Sequence, residues 1–381
     1  MYRFPPYLAD RHDEVREHVR AWAAAHPDPS PADFARGGLV APGWPPPWGL
    51  DAGVGGQLVV RHELAAAGLT APLSEIEVNW AGAAILRFGS DRQRARYLWP
   101  LLEGEERWCR LHSEPDAGSD LAMIATRAER TTGGYRISGQ KIWTFGATSA
   151  NFGALLARTS GARGDPDGVS YFIVPMQSAG VTIVPIKDLG GASAVSEVFF
   201  DDVELPADNL IGELGAGLRI RRPNDPVPTV PFNAGFGAGH DPAVFRLLDL
   251  AEGDDVPGSF ADTILDLYVE SQSIDALAIL DAEEEHATGT ASVQRADIRR
   301  WLTQEFRRAV LEFVHDVRAE GESLDRRAAV ERLDQLGIAG TIFRAAVATV
   351  PNGGSDIHLE TVTARLFDSG SAVLTAWAGE R

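Results

Sequence analysis

The hydrophobic period changes twice along this chain of 381 residues, and that constrains the fold more than any single residue does. Up to about Gly104 the pattern is helical. Asp13 to Ala25 is rich in good helix formers. Gly56 to Ala67 and Asp91 to Leu102 place apolar residues three and four apart. Ser90 or Asp91 is suited to cap the latter helix, and Pro100 lies close to its end. Proline density in Ala41-Pro42-Gly43-Trp44-Pro45-Pro46-Pro47-Trp48-Gly49 excludes a helix. That segment reads as a rigid surface loop or as a lip over a substrate entrance. From Arg107 to Leu214 short β-rich runs alternate with turn clusters. The runs include Tyr135 to Ser138, Gly153 to Arg158, Ser170 to Pro175, Val181 to Val184 and Glu197 to Phe200. From about Asp241 helical stripes return: Ile264, Leu267, Tyr268 and Ile274, then Leu302, Phe306, Val310, Phe313 and Val317. They read as the core face of a bundle. The pattern predicts an α+β protein: an N-terminal all-α domain over 1–106, a middle antiparallel β sandwich or barrel over 107–215, and a C-terminal helical bundle over 216–381. A Pro/Gly-rich loop over 222–240 precedes the bundle helices.

Composition narrows the function. A net charge of −19, with no run of Lys or Arg, opposes nucleic-acid binding. Cys109 is the sole cysteine, so no intrachain disulfide forms, and its apolar-aromatic surroundings make it a packing residue. The sequence offers no apolar run of signal-peptide or membrane-spanning length, so a cytoplasmic protein is expected, with no membrane partner. No metal is expected.

Two segments carry the chemistry. Ser113-Glu114-Pro115-Asp116-Ala117-Gly118-Ser119-Asp120 places hydroxyls, a tight turn and backbone N–H groups after an expected strand. Gly139-Gln140-Lys141-Ile142-Trp143-Thr144 places a flat indole at the end of another. A polar edge that can bind phosphate or carbonyl oxygen beside an aromatic wall suits a flavin. Each residue also has a plainer role: turn capping for Ser113 and Ser119, core packing for Trp143.

In this order the two segments resemble the middle domain of the acyl-CoA dehydrogenase superfamily. Ser196 to Pro206 followed by Asn209-Leu210-Ile211-Gly212 is similar to the family's exit from that domain. Ala348 to His358 resembles its late Gly-rich segment. The resemblance implies an α domain, a β domain and a C-terminal four-helix bundle, assembled as a homodimer or homotetramer, or as a mixed oligomer. It implies flavin adenine dinucleotide (FAD) and an acyl thioester of coenzyme A or a carrier protein. In the family's reaction a glutamate removes the α-proton while the flavin takes the β-hydride.

Carried over position by position, the flavin would be lined by Leu111, His112, Ser113, Gly118, Ser119, Trp143, Thr144 and Phe145. Ser119, Asn352 and Gly353 would face the substrate. His112 stands where an apolar or small residue is common, and reads as a hydrogen-bonded structural histidine or as a new acid/base. Phe145 replaces the hydroxyl usual near the hydride-accepting atom. Members keep the catalytic glutamate at one of two places. In the late segment this chain offers Asn352, and an amide is no base at neutral pH. The early bundle-helix place falls here in the Pro-rich stretch, whose only carboxylate is Asp225. Asp225 and Asp356 are the nearby carboxylate candidates. The expectation is an acyl-CoA dehydrogenase-like oxidoreductase with altered chemistry, in specialised bacterial metabolism. The alternatives are a flavin-independent fold turned to cyclisation, isomerisation or a non-catalytic subunit role, and a flavin monooxygenase.

Overall fold

A computed structural model of the chain describes residues 13–69, 71, 72, 77–118, 120–187, 193, 195–220, 258–288 and 293–320. Ser119, Asp225, Asn352, Gly353, Asp356, the loop 222–240 and the segment Ala348 to His358 lie outside the described residues. The described residues fall into two compact units, one through residue 220 and one from residue 258 onward.

The first unit begins with helices α1 (Asp13–Ala25), α2 (Pro31–Arg36), α3 (Val54–Ala66), α4 (Ala83–Phe88) and α5 (Asp91–Leu102). Ser30 caps α2 and Ser90 caps α5. In both, the cap hydroxyl accepts an N–H of the first turn while the third helical residue bonds back to the cap. The Ser90 box answers which residue caps α5. Pro100 sits in the last turn of α5, where it forfeits its own N–H bond to the preceding turn and the helix ends two residues on.

Eight strands follow: β1 (Trp108–Leu111), β2 (Arg127–Arg130), β3 (Gly134–Phe145), β4 (Phe152–Arg158), β5 (Val169–Pro175), β6 (Val181–Ile186), β7 (Val195–Pro206) and β8 (Leu210–Ile211). Their order is β6-β7-β3-β2-β4-β5-β8, with β1 beside β4. The sheet is mixed. β1 runs parallel to β4 from Trp108 opposite Phe152 to Leu111 opposite Leu155, and β2 meets β4 in a single parallel bridge. The other pairings are antiparallel, as the alternating runs predict.

β4 and β5 read as continuous apolar runs because both of their faces are covered. Ala154, Leu156, Tyr171 and Ile173 join a core shared with α1, α2, α4 and α5. Leu155, Ala157, Phe172 and Val174 join a second core with Cys109, Leu111, Ile137, Val198 and Phe200. Cys109 is fully buried in it.

The second unit shows α7 (Gly258–Thr288) and α8 (Val293–Glu320); α6 (Gly217–Ile220) closes the first unit. Phe260 near the start of α7 meets Phe313 near the end of α8 edge to face, at 5.8 Å between ring centroids, so the two helices run antiparallel. Ile264, Leu267, Ile274, Phe306, Val310 and Phe313 are buried, as the stripes require. Among the described residues, no helix is long and apolar enough to cross a membrane.

Candidate functional site

The end of β3 breaks the rule of alternation, and that break makes the site. Lys141 pairs with Val198 and Thr144 with Ser196, so three steps along β3 oppose two along β7. The extra residue is a β-bulge, which re-aims side chains and occurs often beside active sites. Because of it, Lys141 and Thr144 both point into the protein, though an odd spacing would place them on opposite faces of a regular strand. Trp143 is left outside, 47% exposed, with φ +58°. Phe145, 54% exposed, stands two residues on. A left-handed conformation costs a bulky non-glycine residue roughly 1–2 kcal/mol. Such strain persists where the surroundings over-determine it, commonly at ligand sites.

The turn after β1 is tied to this bulge. Ile142 N–H donates to the Ser113 carbonyl at 2.9 Å. Glu114 N–H donates to the Ala117 carbonyl and Ala117 N–H returns to Glu114, closing the tight turn. Beneath it lies an ion pair. Lys141 Nζ is 2.8 Å from Glu114 Oε1 and 3.0 Å from the His112 carbonyl oxygen. Glu114 also accepts the N–H groups of Ala125 at 2.6 Å and Thr126 at 3.0 Å. Gly139 lets β3 run this close to the Thr126 segment: at φ +148°, a Cβ there would lie 2.6 Å from Thr126 Oγ1.

Burial depresses the Lys141 ammonium from 10.5 to about 8, with Glu114 opposing the shift. Burial pushes the Glu114 carboxyl upward. Lys141 and the two amide donors outweigh it and hold the group below the usual carboxylate range.

His112 is buried, and its Nε2 lies 3.0 Å from the hydroxyl of the fully buried Tyr171. The Trp80 ring meets its edge, with centroids 5.9 Å apart, and Arg110 lies 4.3 Å over the same indole. These contacts are those of the structural reading of His112. Leu111 is fully buried in the second core. Thr144 is also fully buried, and its hydroxyl finds no hydrogen-bond partner among the described residues.

The hydrogen bond from Ile142 to Ser113 ties the turn to the strand end that exposes Trp143 and Phe145, while Leu111, His112 and Thr144 are buried. Sequence reasoning passed over Lys141 and Glu114. The signal was present. Counted inward from Tyr135 and Ile137, strand alternation puts Lys141 on the buried face, and a buried lysine requires a partner. The partner is the carboxylate in the turn after β1.

A flat, electron-poor ring fits this wall. An exposed, backbone-strained indole stands one residue from the strand position that bonds the turn after β1. Ser113 N–H has no acceptor among the described residues.

Comparison with known proteins agrees with the fold. The model of the acyl-CoA dehydrogenase N-terminal domain matches residues 10–105, and that of the acyl-CoA dehydrogenase middle domain matches residues 109–203. Together they span half of the chain. The acyl-CoA dehydrogenase FadE34 of Mycobacterium tuberculosis is 32% identical over 343 residues, covering 87% of this chain and 47% of that protein. The chain spans about half the length of the curated relatives it matches. Among solved structures, the ChsE4–ChsE5 complex from Mycobacterium tuberculosis aligns with a TM-score of 0.69 at 21% identity, over 97% of this chain and 99% of that one. A glutaryl-CoA dehydrogenase from Mycobacterium smegmatis in complex with FADH2 aligns with a TM-score of 0.69 at 20% identity, over 96% of both chains. At such identities the likeness speaks to the fold alone. With both of its successive domain models matched in order, the chain belongs to the acyl-CoA dehydrogenase superfamily.

Proposed function

We propose that this protein is a FAD-dependent, acyl-CoA dehydrogenase-like oxidoreductase that acts on an acyl thioester with altered proton chemistry. The observation that carries the reading is Trp143: an indole half exposed and backbone-strained at a bulge, on the strand end tied to the turn after β1. Ser113, Trp143 and Phe145 form the wall that would hold the isoalloxazine, with Ser119 beside them in sequence. The family of the chain and the FADH2 complex of the glutaryl-CoA dehydrogenase support FAD as the cofactor. When bound, that cofactor supplies a hydride acceptor.

The chain's own residues would bind and orient it. Asn352 and Gly353 would face the thioester. By the resemblance, Asn352 falls at one of the two places where family members keep their glutamate, and an amide cannot take an α-proton at neutral pH. Asp225, Asp356 and His112 are the remaining acid/base candidates, and His112 is already engaged with Tyr171.

The test is a visible spectrum of the purified protein, followed by anaerobic addition of saturated acyl-CoA thioesters. Flavin bands that these thioesters fail to bleach are expected. A colourless protein that takes up no FAD sinks the flavin reading, and rapid bleaching sinks the altered chemistry.

Asn352 favours a second reading, a non-catalytic subunit of a mixed oligomer; a complex of two differently named chains, ChsE4–ChsE5, exists on this fold. Native mass spectrometry decides it: a stable homo-oligomer that oxidises a thioester unaided excludes it.

A further inference from the structure

We propose that Lys141 and Glu114 are the positioning pair of the flavin site: Lys141 holds the His112 carbonyl inward and thereby presents the Ser113 amide as a donor to a carbonyl oxygen of the flavin ring. The inference rests on the flavin reading above.

In a trans peptide the C=O of one residue and the N–H of the next point in opposite directions. The His112 carbonyl accepts from Lys141 Nζ, which lies in the interior with no exposed surface. Ser113 N–H must therefore point away from that interior. The neighbouring backbone groups are already committed. The Ser113 carbonyl takes Ile142 N–H, and Glu114 N–H goes to Ala117. The Glu114 carboxylate takes Lys141, Ala125 and Thr126. Ser113 N–H is left without an acceptor among the described residues. Ser113 is partly buried, and a backbone amide there takes a polar partner, protein, ligand or water.

The same lysine sits at the first residue of the β3 bulge that displaces Trp143 outward. One buried cation thus fixes both the amide that would bind the ring edge and the indole that would lie against its face. A buried lysine costs desolvation, and a hydrophobic residue would have filled the space more cheaply. Its presence is accounted for by what it orients.

The test compares wild type with the double variant Lys141→Met/Glu114→Leu, which strands no charge, and with Glu114→Gln. FAD affinity and the positions of the bound-flavin absorption bands are read at a temperature where circular dichroism shows each chain folded. A folded double variant is expected to bind FAD about tenfold more weakly, the equivalent of one hydrogen bond to a well-placed acceptor, with displaced bands. A smaller loss in the same direction is expected for Glu114→Gln. Unchanged affinity and bands in a folded double variant overturn the positioning role and leave the flavin reading standing. A wild-type chain that takes up no FAD overturns the flavin reading, and the positioning role with it. If the double variant does not fold, hydrogen exchange on wild type decides. Added FAD must slow exchange of the Ser113 amide, and unaltered exchange there overturns the proposal.

Discussion

The helical and sheet parts of the first unit each bury a glutamate and solve the problem differently. Glu63 on α3 faces Arg16 and Arg20 of α1, at 2.6 Å to each, and the Arg20 side chain stays largely in solvent. Glu114 faces a lysine with no solvent contact, and two backbone amides complete its shell. The first arrangement clips one helix to another, with Arg16 mostly buried and Arg20 still in water. The second commits a desolvated charge to hold a turn and a bulge in place. A clip can be replaced by apolar packing. A pair that determines where backbone groups point has no apolar equivalent, because methylene groups direct nothing.

The largest break in this comparison comes from Lys141→Met alone. It strands the Glu114 carboxylate in the interior and should cost about 3–5 kcal/mol in chemical denaturation. Glu63→Gln, which keeps shape and leaves Arg20 in water and Arg16 mostly buried beside a neutral amide, should cost about 2 kcal/mol on the same measurement.

The pH dependence of the two sites sharpens the contrast. Glu63 and Glu114 both bind protons more weakly when folded. For Glu63, burial raises the carboxyl and the Arg20 and Arg16 hydrogen bonds outweigh it. Their contributions are full above the unfolded carboxylate range near pH 4.5 and are lost as pH falls through the depressed folded values. Lys141 adds a second window that Glu63 lacks. Its folded value near 8 lies below 10.5, so the unfolded chain binds more protons between those limits and stability rises with pH there. Melting from pH 7 to 10.5 should show that rise in wild type and not in Lys141→Met.

Trp143→Asn tests whether the bulge is strained for a ligand's sake. Asn tolerates φ near +58°, so the unliganded protein should gain up to about 1 kcal/mol while FAD binding is lost. A loss of stability would mean the indole belongs to the core. The smallest effect is expected for Thr144→Val. It removes a fully buried hydroxyl that has no partner among the described residues, and should leave stability unchanged or raise it by about 1 kcal/mol.

Much of this was legible before any coordinates. α1 runs over the predicted residues, and Ser90 announced α5, because local propensity and capping decide those elements. β4 and β5 were legible as apolar runs, although such runs do not reveal that β1 lies parallel to β4. That pairing depends on contacts made far along the chain. The bulge at Trp143 was not legible either. Period-two reasoning assumes an unbroken strand, so it places Lys141 inward but puts Thr144 on the opposite side. Only the β7 register shows both buried. The resemblance pointed to Trp143 and Ser113 and was silent on the charge beneath them, because an ion pair is a property of two segments meeting.

The most direct test is a fluorescence titration of FAD with wild type and with Trp143→Ala. The account predicts saturable binding to wild type with strong quenching of the flavin by the adjacent indole, and weak, largely unquenched binding to the variant. Equal affinity and equal quenching in the two proteins would contradict it.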